Sequence, residues 1–187
     1  TKRLSILAVI LSILAGCASA PPQQPVAFAK PETLKNSSIT IVMTEVPEPT
    51  MTYPGAGCLL CIGVAAAANS DLSSHVKTLP NADLIKLKEE VAKSLSAKGM
   101  NVKTSDVQFV EKNLKKSKTK IPNSPKKDFT ALKSQYPTSH LLVIDVARLG
   151  MSRNYANYIP ATDPYVIVTG AAYMVNLETN SYEWYVP

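Results

Sequence analysis

The sequence is poor in the residues that most enzyme chemistry uses. Two histidines, three cysteines and seven glycines are spread through 187 residues. A zinc site takes four ligands, and only His75 and His140 are available to join two cysteines, neither at a familiar ligand spacing. The glycines form no phosphate-cradling loop, and no Ser-His-Asp set stands at a suggestive spacing. The chain is therefore read as a non-enzyme with no metal, no small-molecule substrate and no dissociable cofactor, and both histidines as structural. Long hydrophobic runs are missing too. The twelve residues Leu4 to Ala15 would make roughly 18 Å of helix, and Gly57 to Ala68 as much, against a bilayer core of about 30 Å. Gly57 to Ala68 also lacks the alternation of a membrane-barrel strand. Burial against the domain and contact with a partner both stay open for it.

The start of the chain does hold a pattern. Lys2 and Arg3 precede an apolar run broken only by Ser5 and Ser12, then come the small residues Ala15 and Gly16, and no acid precedes Glu32. This order marks a secretory signal that is cut away. Leu14-Ala15-Gly16-Cys17 resembles the lipobox of bacterial lipoproteins. The resemblance implies removal of residues 1–16 and a Cys17 that carries a diacylglycerol and an N-acyl chain such as palmitate. An ordinary signal peptide with a chance cysteine is the competing reading. Ala18 stands where an aspartate would favour the inner membrane, so the resemblance implies an outer-membrane anchor with the domain facing the periplasm. Each buried CH₂ contributes about 0.8 kcal/mol, so several chains on one cysteine hold firmly. Residues 17–37 read as the lipidated cysteine and a Pro-rich tether, extended at about 3.1 Å per residue with a reach of about 50 Å.

Residues 38–187 read as one domain with an apolar insertion at 55–79. Charged residues at 18% and apolar ones at 45% argue against global disorder. The net charge of +6 is concentrated in Lys112, Lys115, Lys116, Lys118, Lys120, Lys126 and Lys127. A solvated loop is the plain reading, and contact with phospholipid head groups or cell-wall polymer the functional one. Export argues against nucleic acid, as does the lack of aromatic residues among these lysines. With Cys17 acylated, Cys58 and Cys61 remain as an even pair in an oxidising compartment, where a disulfide is expected. A redox pair at the start of an alanine-rich helix is the alternative.

Ser38 to Val46 alternates as a strand, and prolines end it. Asn69 to Leu79 is polar, with only a weak helical pattern. Leu84, Leu87, Val91 and Leu95 predict a helix over 81–98, capped by Asn81 and Gly99 and braced by the pairs Lys86–Glu90 and Glu89–Lys93. Met100 to Thr104 reads as a short strand, and Phe129 to Tyr136 as a second helix behind an Asp128 cap. Leu141 to Leu149 reads as a strand covered on both faces. Tyr165 to Leu177, with a bulge at Gly170, pairs with Tyr182 to Val186. The pattern breaks off in an aromatic strand, which predicts that the natural chain runs on past Pro187. The fold class expected is α/β (α+β), a small mixed sheet of about four strands packed with two main helices.

This order of elements resembles the α/β domain shared by the amino-terminal part of TolB, the curli-secretion lipoprotein and the lipoprotein activators of penicillin-binding proteins. Leu84 to Val102 carries the resemblance, together with Phe129 to Val146 and the hairpin Tyr173 to Tyr185. Thr138-Ser139-His140, Asn180 in the place of a turn glycine, and the 55–79 insertion depart from it. Asn tolerates φ > 0, so the turn is expected to survive. The resemblance implies a binding or assembly module. Partners expected are the membrane, through the anchor, and an envelope protein or further copies of the chain. Arg148, Arg153, Tyr155, Tyr158 and Asp163 are the candidate partner-binding residues, because Tyr and Arg are enriched at hot spots; a plain polar loop is the alternative. A ring within a secretion or appendage apparatus and a Cys-x-x-Cys redox protein are the rival functions.

Overall fold

The structure is a computed structural model and describes residues 22–28, 31–34, 37–118 and 121–187. Cys17, the signal segment and Lys120 lie outside the described residues.

Its centre is strand β4, His140–Ser152. On one side lies β1, Ser38–Met43, parallel to β4, and beyond it β3, Asn101–Thr104, parallel to β1. The short β2, Thr50–Thr52, pairs with the far part of β4 on that same side. A two-residue hairpin follows β4, formed by β5, Tyr155–Ala156, and β6, Ile159–Pro160. On the other side β7, Tyr165–Asn176, runs antiparallel to β4 over its whole length, and β8, Ser181–Val186, pairs with the end of β7. The mixed α/β class is as expected. The sheet has six strands.

The near half of β4 is apolar without alternation because both of its faces are covered. Leu141 and Val143 point into a cluster with Val42, Phe129, Tyr173 and Val175. Leu142 and Ile144 point into a second cluster with Ile39, Ile41 and Met174. Phe129 is fully buried, worth roughly 1.5–3 kcal/mol from its side chain alone.

The helices depart more from expectation. A four-residue helix α1, Pro31–Leu34, buries Leu34 against the second cluster. The insertion folds as α2, Leu59–Ala68, and α3, Ser70–Lys77, although Asn69 to Leu79 carried only a weak helical pattern. The helix expected over 81–98 is broken at Lys86 into α4, Ala82–Ile85, and α5, Leu87–Ala97. Asn81 makes no side-chain cap. Lys86 pairs back to Asp83 at 3.2 Å, not forward to Glu90, and Lys88 reaches the Ser105 carbonyl at 2.7 Å and Asp106 at 3.2 Å. Lys86 thus keeps a local partner, one turn back, and the tertiary contact belongs to Lys88. Gly99 does hold the left-handed φ of 83° that a helix end favours. The expected second helix is a 3₁₀ turn, Thr130–Ser134, entered through Asp128, whose Oδ1 accepts from the Thr130 N–H at 3.0 Å and its hydroxyl at 2.6 Å.

The bulge expected at Gly170 lies across from it, in β4 between Val146 and Arg148. A Cβ on Gly170 would overlap the Asp145 carbonyl, so glycine is what lets the two strands close at the bulge.

The tether is not wholly free. Val26 and Tyr185 exchange backbone hydrogen bonds of 2.9 and 3.0 Å, and Phe28 meets Trp184 edge-on at 6.4 Å. Residues 22–28 thus lie along β8, which shortens the 50 Å reach expected from composition. The sheet and its clusters are built from Leu34 onward, with Val26 and Phe28 added along the edge.

Candidate functional site

The β4–β7 ribbon outruns the rest of the sheet. β8 pairs with β7 from Asn176 to Ala172, and beside Tyr165 to Ala171 the described residues supply β4 alone; a chain that runs on past Pro187 would continue β8 along that stretch. Val166 is 70% exposed and Val168 54%, and no residue of β7 carries a charge.

On the opposite margin of the ribbon, β2 carries the two insertion helices. Asn69 joins them: its Nδ2 donates to the Ala65 carbonyl and to the Tyr155 hydroxyl, both at 2.7 Å, and its Oδ1 accepts from Arg153 Nη1 at 3.2 Å. Tyr53 packs edge-on against Tyr155 at 5.9 Å and shares a 2.8 Å hydrogen bond with Ser73. Gly55, at φ 86°, lies so close to the Tyr155 carbonyl that any Cβ would overlap it. Helix α2 rests on this platform through Cys61 and Ala65 only. Leu59 stays 91% exposed and Leu60 77%, with Ile62 and Val64 also exposed. Cys58 and Cys61 lie at disulfide distance, their Cα atoms 4.9 Å apart. Cys58 is exposed and caps the start of α2, while Cys61 is buried.

The five residues expected to bind a partner are not one surface. Tyr155 is buried, and the half-buried Arg153 donates to both Asn69 and the Thr162 carbonyl, so both brace the insertion. Sequence spacing put them in a loop; their shared partner, Asn69, sits at the junction of the two insertion helices, far away along the chain. Arg148, Tyr158 and Asp163 are exposed. Leu59 and Leu60 belong to the 57–68 stretch for which partner contact was open, and their exposure favours it over burial; Val166 and Val168 were not among the expected candidates. The signals were present, in the uncharged 57–68 stretch and in the Val166-Ile167-Val168 run behind Pro164.

At the other end of β4, the lysine-rich loop covers Tyr173 and Tyr182. The Tyr173 hydroxyl donates to Glu111 at 2.6 Å. Burial first, then that carboxylate, pushes the Tyr173 hydroxyl well above the usual tyrosine range, and burial does the same for Tyr182. Both therefore stay protonated donors at neutral pH. His140 is buried in β4 beside the Ser139 hydroxyl at 2.9 Å; burial lowers its pKa, and Glu183 opposes the shift. It fits a neutral, structural histidine.

No family model and no curated protein matches the chain. Among solved structures it is similar to lipoprotein GNA1162 from Neisseria meningitidis, with 16% identity over 80% of this chain and 78% of that one, at a TM-score of 0.28. A likeness of that depth assigns no role, so function is argued from the chain's own surfaces.

Proposed function

We propose that this chain is a lipid-anchored protein of the bacterial cell envelope, held at the outer membrane through Cys17, whose periplasmic domain is a protein-binding and assembly module. Leu14-Ala15-Gly16-Cys17 supports the anchor. The observation that carries the binding role is the apolar face that α2 leaves in solvent, with Leu59 and Leu60 exposed and Ile62 and Val64 beside them. Such a face fits an apolar patch on a partner protein. The resemblance to the TolB, curli-secretion and penicillin-binding-protein-activator group supports the same role.

The test is co-purification from membranes with the acylated chain as bait, comparing wild type with a Leu59→Glu, Leu60→Glu double variant. Both positions are exposed, so folding should change by under about 1 kcal/mol in total. Wild type should retain an envelope protein that the variant loses. Equal recovery would remove the α2 face from the account. Mass spectrometry that finds an unmodified mature amino terminus would remove the anchor.

A ring is the second reading. The apolar face of α2 and the exposed side chains of Val166 and Val168 are two different uncharged surfaces on one chain, as a head-to-tail contact requires. A monomer in size-exclusion chromatography with light scattering would exclude it. A third reading, thiol–disulfide exchange, draws on the exposed Cys58 at the start of α2, where the helix N-terminus lowers a thiol pKa.

A further inference from the structure

The segment between β3 and β4 carries the densest charge of one sign in the chain. Lys112, Lys115, Lys116, Lys118 and Lys126 are exposed. The neighbouring acids are engaged elsewhere: Glu111 by Tyr173, Asp128 by Thr130 and Glu178 by Lys133. Lys127 differs from the others, since its Nζ donates to the carbonyls of Lys112 at 3.1 Å and Leu114 at 2.7 Å and so props the loop from inside. The Ser117 N–H donates to the Lys126 carbonyl at 2.9 Å, and Asn180 Nδ2 donates to the Ser117 hydroxyl and the Lys127 carbonyl. These bonds hold the lysines as a shaped surface. Ile121, 49% exposed, puts one apolar side chain among them.

The position of the tether is an independent observation. Pro22 to Gln24 and Pro122 to Lys126 border one cavity of about 570 Å³ above Tyr173 and Tyr182. Cys17 is five residues before Pro22, which bounds their separation at about 18 Å of extended chain. The lysines therefore sit on the side of the domain from which residue 17 departs.

We propose that this loop is a membrane-contact surface that takes the phosphate groups of anionic phospholipids in the bilayer holding Cys17, with Ile121 entering the interface. Which bilayer is met rests on the anchor reading; the contact itself needs only the loop. Lysines near an anionic surface each strengthen binding about fivefold, and salt screens the effect over about 10 Å at 0.1 M. Contact here would turn the Ser152 end of β4, with α2 and the Tyr165 end of β7, away from the lipid. The strand's thirteen residues correspond to about 40 Å.

The experiment uses the chain from Pro22 onward, which keeps the sheet, its clusters and the Val26 bridge but carries no acyl group. It is sedimented with phosphatidylcholine vesicles, with or without about 30% phosphatidylglycerol. At least tenfold stronger partition onto the anionic vesicles is expected, falling as salt rises from about 0.05 to 0.5 M. Lys115→Gln, Lys116→Gln, Lys118→Gln and Lys126→Gln together should weaken it by about fivefold per lysine. Equal partition onto both vesicles, or partition indifferent to salt, overturns the proposal without relying on any variant. Unlipidated Cys17 in cells alongside strong vesicle binding would sink the anchor and leave the loop standing; the reverse pair of results would sink the loop alone.

Discussion

Asn180 offers a sharp test of how the lysine-rich loop is held. It is 2% exposed and adopts φ 53° in the β7–β8 turn. Its Oδ1 accepts from the buried Phe129 N–H at 2.9 Å, and its Nδ2 donates to Ser117 at 3.0 Å and the Lys127 carbonyl at 3.1 Å. Asn180→Gly keeps the backbone shape and removes all three bonds. The Phe129 N–H is left without a partner, costing about 1–3 kcal/mol, and the two half-buried partners lose about 0.5–1 kcal/mol each, since water can replace part of the loss. A total of about 2–5 kcal/mol is expected. Asn180→Ala should cost about 1 kcal/mol more, because a Cβ is strained at this φ. Urea unfolding followed by the single Trp184 measures both, and an unchanged slope shows that the transition is the same one. Asn180→Gly within 0.5 kcal/mol of wild type, or Asn180→Ala no worse than Asn180→Gly, would refute the reasoning.

Replacing Cys58 and Cys61 by Ser together should cost at most about 2 kcal/mol, as the closed loop is very short, and should leave partner recovery unchanged. An oxidative defect in cells with stability intact would instead favour thiol–disulfide exchange. Alkaline pH is a second lever. Folding holds Tyr173 and Tyr182 protonated above their unfolded value of about 10, so their contribution is fully present below pH 10 and is lost as pH rises beyond it. Tyrosinate absorbance should therefore rise in two stages, the later one coinciding with unfolding. For His140 the sign is opposite: its lowered pKa means that stability falls as pH drops below about 6.5, and His140→Gln should flatten that limb of a thermal-melt profile.

The sheet was legible wherever local pattern and tertiary burial agree. β4 announced two covered faces by the apolar run Leu141 to Ile144, and Asn180 marked its own turn. Elsewhere the deciding contacts are distant in sequence. Helix α3 is polar and mostly exposed, with only Val76 buried, so no periodic stripe reveals it. The break at Lys86 interrupts an unbroken Leu84, Leu87, Val91, Leu95 pattern, beside a Lys88 that reaches across to residues 105 and 106. Tyr155 looked like a recognition residue because composition cannot show that its hydroxyl meets Asn69, 86 residues away. Nor can a proline-rich segment disclose that Val26 joins Tyr185. The candidate surfaces were half-visible: the uncharged helix and the Val-Ile-Val run are plain in the sequence, but that α2 buries only Cys61 and Ala65 is a fact of packing.

The uncovered face of α2 also has a cost in the cell. Leu59, Leu60, Ile62 and Val64 in solvent are as ready to meet any other exposed apolar surface as the intended guest. Overproduction alone should then yield insoluble material whose amount falls when the covering protein is made alongside it.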